Sequence, residues 1–238
     1  MIELLTAQNL VALISLSALE IVLGIDNIVF IAILTSRLPP EQQARMRRIG
    51  LGLAMIQRIL LLFAISWVVQ LTEPLFTVLG RGVSGRDMIL IGGGLFLIAK
   101  ATLEIHGTIE GHGAENKDKP KAVSVTSVLI QIALLDAVFS LDSVITAVGM
   151  VSEVAVMVAA VIIAVIVMMI FANPVSHFIM RHPTVKMLAL AFLLLIGVVL
   201  VADGTGHHVE KIYIYMAMGF AILIETLNFK LRKKAKAK

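Results

Sequence analysis

Apolar runs of 18 residues or more recur from one end of this chain to the other. That is the length an α-helix needs to cross the hydrocarbon of a bilayer. Hydrophobic residues make up 59% of the 238 and charged residues 15%, and the mean hydropathy is +0.98. So little polar surface rules out disorder and cannot cover a water-soluble globule. The alternating segments of about ten residues that build a membrane barrel are absent. The fold class is all-α, a polytopic membrane protein. The first run reads as a retained helix rather than a signal peptide. It lacks a basic leader, is too long, and contains acids. There is no cysteine, which excludes disulfides, thiolate metal sites and cysteine nucleophiles.

Polar breaks divide the chain into seven predicted spans in a single transmembrane domain. They run over about 9–34, 49–71, 88–105, 123–150, 153–179, 187–202 and 211–229, with Asn173-Pro174 expected to kink the fifth. The basic residues fall unevenly. The segments after spans 1, 3 and 5, with the tail 230–238, hold 15 Lys and Arg; the opposite side holds 3. The positive-inside rule then places the N-terminus outside and the C-terminus in the cytoplasm.

Two of the spans carry acids where acids are expensive. Glu20 and Asp26 lie in the first, and Asp136 and Asp142 lie in the fourth, each 116 residues further on. Three spans separate the two motifs, so they enter the membrane in opposite directions. The pattern predicts an inverted repeat, about 9–105 against 123–203, with the seventh helix added. Inverted repeats of this kind place a substrate site near the midplane, often at interrupted helices.

Four carboxylates at the bilayer centre would cost about 10–14 kcal/mol and would repel one another. Protonation or a bound cation relieves both problems, and metal and protons then compete for the same oxygens. The predicted ligand set is Glu20, Asp26, Asn27, Asp136 and Asp142. All-oxygen donors suit a hard divalent ion, Mn²⁺, Ca²⁺ or Mg²⁺, over Cu⁺ or Zn²⁺. Six residues on an ideal helix leave Glu20 and Asp26 about 120° apart. Convergence therefore predicts a helix break near Gly24, and a second near Ser140. Arg58, Lys100, Ser143 and Gln131 are the candidate supporting groups. The two cations either neutralise the acids or occupy the site when the ion leaves. Glu104 and Glu225 lie near span ends, where they cap or snorkel. His106 and His112 on the cytoplasmic side, and His207 and His208 outside, read as solvated loop residues ahead of the alternative that they collect metal at the surface.

The stretches "ALEIVLGIDNIVFI", "RRIGLGLAMIQRI", "GGLFLIAKATLEIH", "ALLDAVFSLDSVITAVGM", "RHPTVKMLALAFLLLIGV" and "YIYMAMGFAILIETLN" resemble the TerC family of integral membrane proteins. The resemblance implies kinship with the LysE-like exporters, a bacterial inner-membrane location, Mn²⁺ efflux through the four acids, and a link to tellurium resistance. The leading expectation is a secondary transporter exporting Mn²⁺ with proton exchange, with no enzymatic activity and no cofactor besides the transported ion. Its partners are the ion and the bilayer, without nucleic acid; a homo-oligomer or stress-complex partners fit as well. The competing readings are a transporter of Ca²⁺ or another cation, a non-transporting scaffold in the metal or tellurite stress response, and an intramembrane aspartyl protease.

Overall fold

The computed structural model describes residues 7–78, 80–110, 124–150 and 153–236. Eight helices and one hairpin make up the described chain: α1 (Ala7–Thr35), α2 (Pro40–Phe63), α3 (Ile65–Gln70), β1 (Pro74–Val78), β2 (Arg81–Ser84), α4 (Gly85–Glu110), α5 (Val125–Met150), α6 (Val154–Arg181), α7 (Pro183–Gly204) and α8 (Lys211–Lys236). Five are long and apolar enough to cross a membrane: α1, α4, α5 over Val125–Ile145, α6 and α7. The other two of the seven expected spans are less apolar. α2 has the length, but it carries Glu41, Arg45, Arg47, Arg48 and Arg58. α8 is apolar over Ile212–Asn228.

The second span differs most from expectation. It begins nine residues early because Pro40 sits at the first helical position, where its missing N–H costs nothing. Arg45, Arg47 and Arg48 are thus helical rather than loop residues. The helix then stops at Ala64 and restarts as the single-turn-and-a-half α3. The expected loop after it is an antiparallel hairpin, pairing Phe76 with Val83 and Val78 with Arg81. Gly80 turns it with φ +81°, a conformation that side chains disfavour. α6 continues through Pro174 to Arg181 without a break. α4 runs on to Glu110, so His106 is helical and its Nε2 lies 2.9 Å from Glu110 Oε2. His112 lies outside the described residues.

The chain separates into two compact units, 1–89 with 118–180 and 90–117 with 181–238. The first packs α5 against both α1 and α2. In the second, α7 packs on α8, and α4 meets α7 at two glycines. A Cβ on Gly94 would lie 2.6 Å from the Gly197 carbonyl oxygen, and one on Gly197 would lie 2.9 Å from that of Gly94. Only hydrogen fits between these backbones.

Burial runs opposite to that of a water-soluble protein. Ile162, Ile166 and Ile170 on α6, and Met216, Phe220 and Leu223 on α8, are exposed. Glu20, Asn27, Arg58, Asp136, Ser140 and Ser143 are buried. A surface this apolar around a charged interior is the mark of a chain solvated by lipid. The protein is a multi-pass membrane protein.

A buried carboxylate and guanidinium cluster in the first unit

Residues 17, 20, 24, 27 and 31 of α1 are spaced three and four apart, so they share one face. All five are buried. This face turns Glu20 and Asn27 toward α5 and α2. Asp136, Ser140 and Ser143 form the matching buried row on α5. Arg58 enters from α2 and is 2% exposed, the largest side chain among the described residues to be so fully enclosed.

Arg58 bridges the two acids. Its Nη1 donates to Glu20 Oε2. Its Nη2 and Nε donate to Asp136 Oδ1 at 3.3 and 3.4 Å. Asn27 Nδ2 donates to the same oxygen at 3.2 Å. Ser140 Oγ donates to Asp136 Oδ2 at 2.9 Å, and Ser143 Oγ donates to the Ser140 carbonyl at 3.3 Å. Two acids and one guanidinium thus share a single buried cluster, with fewer cations than carboxyl groups. Burial of such a cluster is tolerated where hydrogen bonds add to the ion pairing, as Asn27 and Ser140 do on Asp136. A cavity of about 10 Å³, room for one water, adjoins Glu20 and Arg58 and is otherwise walled by apolar side chains such as Leu16, Leu62, Val144 and Met157.

The cluster gathers part of the predicted ligand set. Glu20, Asn27 and Asp136 come together, and Arg58 joins them. α1 runs unbroken through Gly24, and α5 runs unbroken through Ser140, so neither expected helix break exists. Gly24 serves close packing instead, since a Cβ there would lie 2.3 Å from Met168 Sδ of α6. With α1 continuous, Asp26 stays about 120° around the helix from Glu20, where it is half-buried. Asp142 stands in α5 at the same offset from Asp136; its side chain lies outside the described ones. Among the described residues, no three His, Asp or Glu side chains gather closely enough to hold a metal.

The supporting groups are sorted by neighbourhood. Ser143 belongs to the buried row. Gln131 Nε2 turns back to Ser127, donating to its Oγ and its carbonyl at 3.0 Å each. Lys100 Nζ stands 5.9 Å from the centre of the Phe96 ring in the second unit. In that unit Lys186 Nζ approaches Glu104 Oε1 at 3.8 Å, and Thr184 Oγ1 donates to Glu225.

Sequence reasoning missed three polar contacts. Ser140 lies one turn after Asp136, a spacing that could have marked it as a donor. Gln57 Nε2 donates to the Ala133 carbonyl at 3.2 Å. Arg47 Nε donates to Asn173 Oδ1 at 3.0 Å, tying α2 to α6 beside Pro174. Arg47 had counted only toward topology.

The comparisons with known proteins agree with this architecture. The profile of the "Integral membrane protein TerC family" matches residues 5–238. A "UPF0053 protein" of Haemophilus influenzae is 54% identical over 229 residues, 95% of each chain. The "UPF0053 inner membrane protein YgdQ" of Escherichia coli K12 is 52% identical over 94% of this chain and 93% of its own. The "UPF0053 inner membrane protein YoaE" of the same organism is 53% identical over 91% of this chain, which spans only 42% of that longer protein. No solved structure matches. With a profile match that takes in every described helix, and relatives more than half identical over nearly its full length, the chain belongs to the TerC family of integral membrane proteins.

Proposed function

We propose that the protein is a secondary transporter of the bacterial inner membrane that exports a divalent cation, Mn²⁺ in the first place, in exchange for protons. The observation that carries this reading is the enclosure of Glu20 and Asp136, from two different helices, around one guanidinium. Acids so deep in an apolar chain are costly and persist where they handle charge. Arg58 gives the acids a cation when the ion is absent. A divalent ion reaching these oxygens then has to displace it, with Asp26 and Asp142 as further acids on the route.

The makeup of the two units supports an inverted repeat. The first combines α1 and α2 with α5 and α6, the second α4 with α7, so each draws matching helices from both halves of the sequence. On this reading the N-terminus faces outward and the basic tail faces the cytoplasm, the orientation that the distribution of Lys and Arg supports. Because the chain has no cysteine, single substitutions report the orientation. Thr205→Cys should label from outside in intact cells, and Gln42→Cys only after permeabilisation; the reverse pattern overturns the orientation.

Proteoliposomes loaded with Mn²⁺ test the function. Wild-type protein should release Mn²⁺ down its gradient and acidify the lumen, because protons enter in exchange for each ion that leaves; release without acidification overturns the proton exchange. Glu20→Gln, Asp136→Asn, Asp26→Asn and Asp142→Asn should each lower the flux. Undiminished flux in Glu20→Gln and Asp136→Asn would sink the site assignment. The enclosed ion pair also suits a non-transporting scaffold in which the cluster only joins helices. Cells lacking the protein separate the two: unchanged Mn content and metal tolerance favour the scaffold.

A further inference from the structure

The register of the hairpin divides it into two unlike faces. Phe76 of β1 stands opposite Val83 of β2, and Arg81 lies on the same face at the turn end. The other face pairs Pro74 with Ser84 and Thr77 with Gly82, small or polar residues. The register shifts between Pro74 and Phe76, so Leu75 sits in a bulge beside Phe76 with no partner on β2. Leu75 and Phe76 are 63% and 48% exposed. Two strands by themselves hold a hairpin only marginally in water, so this apolar face needs cover. Two limits decide what covers it. Hydrocarbon suits Leu75 and Phe76, but it leaves the unpaired edge N–H and C=O groups of a two-stranded sheet without partners. Water suits the edges and leaves the apolar side chains exposed. The headgroup boundary of a bilayer satisfies both. Neighbouring elements mark that level. Phe63, the last residue of α2, carries the exposed apolar surface up to it. Trp67 of α3, the one tryptophan in the sequence, is exposed shortly before the hairpin, and tryptophan concentrates at the membrane–water interface. The membrane-length helix α4 starts at Gly85, directly after Ser84.

From this arrangement we infer that the hairpin is a docking surface for the phospholipid headgroup boundary. Leu75 and Phe76 enter the margin of the acyl chains. Arg81, which keeps Asp87 at 3.8 Å and is 40% exposed along its side chain, meets a lipid phosphate, an anion that suits a guanidinium. The connection between α3 and α4 is thus a membrane anchor rather than a loop in water, and it holds the chain at the interface just after the break between α2 and α3. The inference stands apart from the ion site and holds whatever the protein carries.

The test uses the full-length protein in nanodiscs of phosphatidylethanolamine and phosphatidylglycerol, with a single copy per disc and both membrane faces open to the medium. Trp67→Phe removes the native tryptophan, and Phe76→Trp then places a lone reporter on the hairpin. Its emission should be blue-shifted. Lipid brominated near the headgroup end of the acyl chains should quench it more than lipid brominated near the bilayer centre, and iodide should quench it only weakly. Strong quenching by iodide without quenching by brominated lipid overturns the inference. If discs holding a pair of copies abolish that iodide quenching, the hairpin docks on a second copy instead. Strongest quenching by the deep bromine overturns it as well, by putting the hairpin in hydrocarbon. Because the chain has no cysteine, single cysteines test the two faces with Trp67 in place. Thr77→Cys should react with a charged thiol reagent in the discs, and Phe76→Cys should lose that reactivity until the protein is denatured. Equal reactivity at the two positions overturns the placement.

Discussion

The two units handle their acids differently. In the first, Glu20 and Asp136 sit in the middle of membrane-length helices, at most 4% exposed, and share a guanidinium that is itself enclosed. In the second, Glu104 lies in the last third of α4 beside Lys186, and Glu225 sits toward the end of the apolar stretch Ile212–Asn228 of α8 with Thr184 and Asn228. Lys186 and Glu104 remain 20% and 14% exposed along their side chains. An acid near the end of an apolar stretch reaches the interface and costs little. An acid in the middle of the helix must be compensated inside the protein. Acids in greasy helices are therefore not equal evidence for function; depth and enclosure set Glu20 and Asp136 apart from Glu104 and Glu225.

Neutralising the central acids should have the largest effect. Glu20→Gln or Asp136→Asn should lower Mn²⁺ affinity by about a hundredfold, the upper range for losing a metal-site group, as read by titration. The same substitution at Glu225 should leave affinity unchanged, and an equal loss there would break the contrast between units. Next comes Arg58→Met, which leaves two buried carboxylates without their cation. It should destabilise the protein by about 3–5 kcal/mol, measured as thermal unfolding in detergent. Millimolar Mn²⁺ should restore part of that loss, because an ion bound only to the folded state stabilises it. No restoration would mean that the ion and the guanidinium do not occupy the same place.

Smaller effects are expected in the second unit. Gly197→Ala forces a methyl against the Gly94 backbone and should cost about 1–3 kcal/mol of stability, with ion affinity unchanged. The smallest belongs to Lys186→Ala. Its contact with Glu104 is long and partly solvated, so stability should shift by about 1 kcal/mol or less. A Lys186→Ala variant that abolished flux would move the functional centre out of the first unit.

Much of the buried cluster was legible because burying charge is costly. Glu20 and Asp136, which the structure joins through Arg58, stood out on hydropathy and spacing alone, and so did Asp26 and Asp142, which it does not show in that cluster. Asn27 came with them, being next to Asp26. Arg58 was visible as a cation in an apolar run, but so was Lys100, and nothing in the sequence ranked them. The structure encloses Arg58 between Glu20 and Asp136 and sets Lys100 over Phe96 in the other unit. Gly24 was noticed for the wrong reason. A glycine between two acids suggests a broken helix when the acids are assumed to converge. α1 is continuous, and the glycine admits a neighbouring sulfur instead. Arg47 shows the same limit: its charge pointed to topology, while its hydrogen bond to Asn173 lies 126 residues away.

By itself the sequence determined the solvent, the helical class and which helices carry charge into the membrane. Those follow from local terms, the cost of polar groups in hydrocarbon and the 3.6-residue period that gives each helix its faces. Only the tertiary structure decided which faces meet. It chose Arg58 to serve both acids, put Ser140 under Asp136, and sorted the helices into units that cut across the two halves of the chain. Helical period orders side chains within one helix and says nothing of its neighbour; that choice belongs to packing and to the pairing of buried charge, both of which act across sequence distance.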